Sequence, residues 1–210
     1  VPERLHDDLV TPDIVSSELM YEGRVWDIRR DTFRLDGHEI TRDYMDHTGA
    51  VAVLALDERD RVLLIKQYRH AVQSRDWELP AGLLDIRDES PLIAAQRELA
   101  EEADLVAETW DLLSEFMSSP GGSNEVLRVY LARGVSAAPK IFERTEEEAG
   151  IELRWVPLDD VVDGVLSRDL QNSILAIAAL SAAAGRARGW ATLGPADAPW
   201  PRHPLERAGR

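Results

Sequence analysis

The sequence predicts an α+β fold, an α/β/α sandwich preceded by an antiparallel β-segment. Three observations carry it: short β-patterned runs recur along residues 16–156, helical stretches interrupt and follow them, and turns rich in Gly, Pro and Asp separate the pieces. Residues 1–12 are charged, unpatterned and expected to be loose. Over residues 16–45, Val25, Ile28, Phe33 and Leu35 alternate with Arg24, Arg29, Arg30 and Arg34, which reads as two or three antiparallel strands turned at Asp36-Gly37. Residues 50–56 and 62–67 are β-rich runs on either side of the turn 57–60, and are expected to pair as a hairpin. A short strand at 77–79 leads into a glycine turn at Gly82, and residues 90–103 have helical period. Strands at 110–117 and 126–131 flank the loop 118–125, which Pro120-Gly121-Gly122 forces open. A charged loop at 143–148 precedes a strand at 151–156 and helices at 158–166 and 171–184, the second capped by Asn172 or Ser173. The organisation expected is an N-terminal β-segment at 1–47, a main domain at 48–184, and a Pro, Gly and Arg tail at 185–210 that is mobile or packs late.

Composition sets limits on function. With 210 residues and 44% hydrophobic content the chain can bury a core of ordinary size. A formal net charge of -15 disfavours nucleic-acid backbones and anionic membrane surfaces, so an anionic substrate needs metal or clustered arginines. The absence of cysteine excludes disulfides, thiolate zinc sites and a cysteine nucleophile, and suits a reducing cytoplasm. No stretch reads as a signal peptide, and no apolar run approaches the roughly 20 residues that span a bilayer. There is no Gly-x-Ser-x-Gly elbow, no P-loop and no Gly-x-Gly-x-x-Gly fingerprint, so serine hydrolase and dinucleotide oxidoreductase chemistry find no support. The five histidines are scattered without metal spacing, His70 among them.

The chemistry concentrates between Gly82 and Glu102. A helix over 90–103 places Leu92, Ala95, Leu99 and Ala103 on one apolar face and Glu98, Glu101 and Glu102 on an adjoining one. Three carboxylates at i, i+3 and i+4 repel and cost helix stability, an arrangement that makes sense when a hard divalent cation sits among them. Arg97 relieves Glu101, one turn on.

This run resembles the signature of the Nudix hydrolases: a glycine, a spaced glutamate, then Arg-Glu-apolar-x-Glu-Glu-x-Gly-apolar. It departs in two places. One extra residue separates Gly82 from Glu89, a loop insertion of small cost, and Asp104 replaces the second glycine, in a left-handed helix-end conformation that aspartate adopts more readily than most residues. The resemblance implies a sandwich built on a mixed sheet. It also implies a Mg2+ or Mn2+ site in which Glu98 and Glu102 bridge the metal, Glu101 assists and the Ala81 backbone carbonyl adds a ligand. Such a metal activates water and neutralises a diphosphate as its P–O bond breaks.

Residues outside this run resemble the ADP-ribose pyrophosphatase branch. In that branch a glutamate on a late loop is catalytic, and residues 144–151 match its segment, which maps the role to Glu148, with Glu147 as the alternative, beside Glu101 and Glu102. The runs Gln67-Tyr68-Arg69-His70 and Trp77-Glu78-Leu79-Pro80-Ala81-Gly82 and the loop 118–125 supply the substrate candidates. Arg69 suits a bidentate phosphate contact, with a surface ion pair as its structural alternative, and Arg42 is a second phosphate candidate. Glu78 and Glu125 suit ribose hydroxyls, Trp77 belongs to the same run, and Gly121 and Gly122 let backbone approach a ligand. Trp26 matches the place of an aromatic that stacks on adenine from the partner subunit, in homodimers that exchange N-terminal strands; a core or interface tryptophan is the alternative. The resemblance thus implies a homodimer that splits ADP-ribose into AMP and ribose 5-phosphate, with hydrolysis of another nucleoside diphosphate sugar, or a non-catalytic ADP-ribose-sensing module, as rivals.

Overall fold

The computed structural model describes residues 5–142 and 150–203. In chain order the elements are β1 (Asp13–Tyr21), β2 (Asp27–Leu35), β3 (His38–Asp46), β4 (Ala50–Ala55), β5 (Arg61–Arg69), β6 (Ser74–Glu78), β7 (Ala81–Leu83), α1 (Pro91–Ala103), β8 (Leu105–Met117), β9 (Val126–Ala137), β10 (Glu152–Pro157), α2 (Leu158–Ser167), α3 (Ser173–Arg186) and β11 (Gly194–Pro195). The described chain falls into two units, one holding residues up to His47 with Ser119–Asn124, the other Thr48–Ser118 and residues from Glu125 on.

The first unit is an antiparallel meander in the order β1-β2-β3. Asp36 and Gly37 both have left-handed backbone (φ 50 and 81), as a two-residue hairpin turn between right-twisted strands requires. Arg30 faces Asp43 across β2 and β3 and binds it through two nitrogens at 2.7 and 2.8 Å, holding the Asp43 carboxyl below its ordinary range. The Pro-Gly-Gly loop joins this unit through backbone: Met45 N–H donates to Gly122 O (2.9 Å) and Asn124 N–H to Met45 O (3.2 Å). The Asn124 side chain accepts from His47 N–H and donates to Asp46, both at 2.7 Å.

The second unit is built on a five-stranded mixed sheet, β11-β8-β9-β4-β7, with a second sheet, β10-β5-β6. β4 runs parallel to β9 and antiparallel to β7, and all its residues are buried. Its alternation explains why: Ala52 and Leu54 pack with Leu175, Ala178 and Ala182 of α3, while Val51, Val53 and Ala55 pack with Ala94, Ala95 and Leu99 of α1. A strand covered on both faces is apolar throughout. Asn172 caps α3 by accepting from Leu175 N–H (3.0 Å). Among the described residues no helix is long and apolar enough to cross a membrane.

One expectation is corrected here. β4 and β5 do not form a hairpin: only Leu56 and Val62 bridge at the turn, after which β4 joins one sheet and β5 the other. The turn itself is tight, with the Asp57 carboxylate accepting from Arg59 N–H and Arg61 N–H (2.9 and 2.8 Å), but runs without polar alternation carry no signal of which sheet they enter. Of the two outcomes expected for the tail, mobility or packing, it packs as far as His203. β11 pairs with Asp111 and Leu112 of β8, and Trp200 is buried against the α1 face of the sheet. Arg128, at 2% exposure, holds it there, donating to Ala198 O (2.9 Å) and Pro199 O (3.3 Å) with its guanidinium 4.7 Å from the Trp200 ring centre.

Candidate active site

α1 starts where Ser90 accepts from Ile93 N–H (3.3 Å) with Pro91 opening the first turn, and ends where Asp104 turns left-handed (φ 54) and donates its N–H to Ala100 O (3.0 Å). Aspartate at the expected glycine position therefore closes the helix in the way its short polar side chain allows. Ala94, Ala95, Leu99 and Ala103 are buried against the sheet, Leu99 alone contributing about 2 kcal/mol.

The acids do not form one solvated face. Glu102 is only 4% exposed and accepts from Ala81 N–H at 2.9 Å, so core and acid are not cleanly separated. A carboxylate so placed carries a desolvation cost that a cation would relieve. Glu98 leans on Gly82. A Cβ built there would lie 1.9 Å from Glu98 Oε1, so glycine is required for close approach. Gly82 lies within β7 and is not among the residues with positive φ, which corrects the expected glycine turn.

Arg97 ties the cluster together. It binds Glu89 through two nitrogens (3.0 and 2.9 Å), Glu98 at 2.6 Å and Glu101 at 3.0 Å. Hydrogen bonding from Arg97 holds the Glu89 carboxyl below the usual range against the opposing effect of burial, and the same pairings push the Arg97 guanidinium up. Because Glu89 titrates lower in the folded than in the unfolded chain, its pairing stabilises fully above the unfolded value. That stabilisation is lost as pH falls through the folded value. In urea titrations at pH 7 and pH 3, Glu89→Gln is expected to lower the midpoint at pH 7 and to lose less midpoint than the wild type on acidification. Equal pH dependence in the two proteins would contradict the pairing.

The donor set fits a hard divalent cation. Glu98, Glu101 and Glu102 offer only oxygen, Gly82 leaves room beside Glu98, and Glu102 brings a buried negative charge to the edge of β7. Among the described residues, no three His, Cys, Asp or Glu side chains already converge as a metal cage. Arg97 engages Glu98 and Glu101, while Glu102 accepts from the backbone of Ala81.

The other candidates divide between the two units. In the second, Arg69 meets Glu78: Arg69 Nε donates at 2.9 and 3.2 Å and Nη2 at 2.6 Å, with Glu78 2% exposed. Trp77 is partly buried against the core, with Lys66 Nζ 5.0 Å from its ring centre. Ser118 Oγ donates to Glu125. In the first unit, Trp26 stacks on His47 with ring centres 5.9 Å apart, Arg42 is exposed on β3 and donates to Thr41 O (2.8 Å), and Gly122 O accepts from Met45. Glu148 and its rival Glu147 lie outside the described residues. Sequence reasoning saw only the Glu101 arm of Arg97. The signal for the rest was one arginine between an isolated Glu89 and two of the three clustered acids.

α1 and its acids lie within residues 46–176, the span matched by the family model of the NUDIX domain. The chain belongs to the NUDIX family. Two relatives extend the likeness beyond the NUDIX domain. The chain is similar to the ADP-ribose pyrophosphatase of Mycobacterium tuberculosis (strain ATCC 25618 / H37Rv), 40% identical over 94% of this chain and 95% of the relative. It is 32% identical to the ADP-ribose pyrophosphatase of Bacillus subtilis (strain 168), over 78% of this chain and 88% of that one. A solved ADP compounds hydrolase shares the NUDIX fold at a TM-score of 0.70 and 20% identity, covering 88% of this chain and 99% of that structure. NUDIX hydrolases act with divalent metal ions, in keeping with the oxygen-only donor set on α1.

Proposed function

We propose that the chain is a diphosphatase that hydrolyses ADP-ribose to AMP and ribose 5-phosphate. The observation that carries this reading is the placement of Glu98 against Gly82 and of buried Glu102 against Ala81 in a NUDIX chain with two ADP-ribose pyrophosphatases among its relatives. Glu98, Glu101 and Glu102, with the Ala81 carbonyl, would hold Mg2+ or Mn2+. When bound, the metal supplies an activated water and neutralises charge on the diphosphate. The water oxygen adds to phosphorus, the bridging P–O bond breaks, and the proton passes to a carboxylate, a role we assign to Glu148. Arg97 spaces Glu98 and Glu101 and limits their mutual repulsion. Glu78 orients the guanidinium of Arg69, which in this reading contacts a diphosphate oxygen.

Trp77, Glu125, Gly122, Arg42 and Trp26 complete the substrate contacts in this reading. A homodimer through the N-terminal sheet is part of the proposal: every residue of β1 is exposed, Ile14, Leu19, Met20 and Tyr21 among them, a density of apolar surface unusual for an unpartnered sheet. A cysteine-free chain suits the reducing cytoplasm.

The test is a product assay with ADP-ribose and GDP-mannose, each with magnesium and again with EDTA. AMP and ribose 5-phosphate from ADP-ribose, abolished by EDTA, are expected, with slower release from GDP-mannose. Binding of ADP-ribose without AMP release would overturn the hydrolase reading, and preferred cleavage of GDP-mannose would move the substrate.

A further inference from the structure

The loop 118–125 has little of its own to hold its shape. Gly121 and Gly122 are both exposed, and a Cβ added to either would meet nothing within 4 Å, so the order of the loop comes from the residues that flank the glycines. Within the first unit, the backbone of Gly122, Ser123 and Asn124 runs beside Met45 at the end of β3. Those backbone bonds would form with almost any side chain. What is particular to this sequence is the Asn124 amide.

That amide is used at both ends. Its oxygen accepts from the backbone N–H of His47 and its nitrogen donates to Asp46 Oδ1, both at 2.7 Å, while the other Asp46 oxygen accepts from Arg29 Nε at 2.8 Å. The partners fix which way the amide points, because a backbone N–H needs an acceptor and a carboxylate needs a donor. A hydrogen bond to a carboxylate is also of the stronger kind. His47, 7% exposed, stacks its ring on Trp26 with the two planes 29° apart. One half-buried side chain therefore links the loop that carries Gly122 to the residue on which Trp26 stacks. None of these bonds involves Glu98, Glu101 or Glu102.

Resting on the substrate contacts proposed for Gly122 and Trp26, we infer that Asn124 is a positioning residue: it sets the Gly122 backbone against the Trp26 ring, and so governs affinity for ADP-ribose without entering the bond-breaking step. Asp46 and Arg29 hold the amide in turn.

The test is a set of variants followed by KM and kcat for AMP release with magnesium, by Kd for ADP-ribose from calorimetry in EDTA, and by Mn2+ binding. Asn124→Ala removes both side-chain bonds and is expected to raise KM and Kd about tenfold while kcat and Mn2+ affinity hold, the pattern of lost uniform binding. Asn124→Asp keeps the acceptor for His47 but sets a second carboxylate against Asp46, and is expected to weaken binding at least as much. Adding Asp46→Asn exchanges donor and acceptor, and this double variant is expected to return to within about threefold of the wild type. Asp43→Asn, which breaks the exposed pair with Arg30 elsewhere in the same sheet, is expected to leave every one of these quantities unchanged. Unchanged KM and Kd in Asn124→Ala, a fall in kcat in place of the rise in KM, an equal effect of Asp43→Asn, or no recovery in the double variant would each overturn the inference. A wild type that binds ADP-ribose without releasing AMP would sink the hydrolase reading alone, because Kd still decides the role of Asn124.

Discussion

Glu102→Gln is expected to lower the rate of AMP release about 1,000-fold, equivalent to about 4 kcal/mol of transition-state stabilisation, while the fold stays intact. The physical basis is the position of this carboxylate, 4% exposed and hydrogen-bonded to Ala81 N–H at 2.9 Å. Glutamine keeps the same volume, and its carbonyl oxygen still accepts from Ala81. What it loses is the charge that attracts a cation, replaced by an amide that donates where a metal would need an acceptor. Replacing a buried carboxylate with a neutral isostere also removes a desolvation cost, so the melting temperature is expected to hold or to rise. Loss of activity with unchanged or raised stability separates a functional acid from a structural one. Near-normal turnover would show that Glu102 is not part of the reacting site.

The second large effect is expected at Gly82. In Gly82→Ala the new methyl would sit 1.9 Å from Glu98 Oε1 and 2.0 Å from its carboxyl carbon. Both are atoms of a flexible side chain, so the clash resolves by displacing Glu98, and the β7 pairing of Gly82 with Val51 survives. Alanine restricts the unfolded chain more than glycine does, which offsets part of any local strain. The expected result is an activity loss of about 100-fold, the scale of a displacement of about 1 Å at a reacting centre, with little change in stability. Glu98→Gln should cost activity too, and the double variant should be no worse than the poorer single, because both act through one carboxylate. Additive losses would mean that glycine is needed for some reason other than the approach of Glu98.

How far the sequence reached can be judged residue by residue. The helix over α1 was legible because Leu92, Ala95, Leu99 and Ala103 repeat at helical spacing and because Asp104 suits a left-handed helix end, whereas the Ser90 cap and Pro91 at the first turn went unread. The N-terminal meander was legible for the same reason, through its alternation and the Asp36-Gly37 turn. What failed was non-local. β4 and β5 flank a good turn, and nothing within either run says that they part into different sheets. The tail reads as polar punctuation. Its order comes from one buried arginine on β9 that reaches Ala198 and Pro199, some seventy residues on. Within the candidate site, the identity of the acids was legible from spacing, but the burial of Glu102 and the pairing of Arg69 with Glu78 depend on strands β6 and β7 meeting their neighbours. Side-chain partners across strands are set by register, and register was the part of this fold that local sequence left open.

The central claim is that Glu98, Glu101 and Glu102 hold a divalent cation for attack on a diphosphate. Titrating Mn2+ into the protein and following free ion by electron paramagnetic resonance tests it most directly, with Glu102→Gln in parallel. The account predicts Mn2+ bound by the wild type, at least tenfold weaker in the variant, with AMP release falling in step. Mn2+ binding of equal strength in both proteins would contradict it.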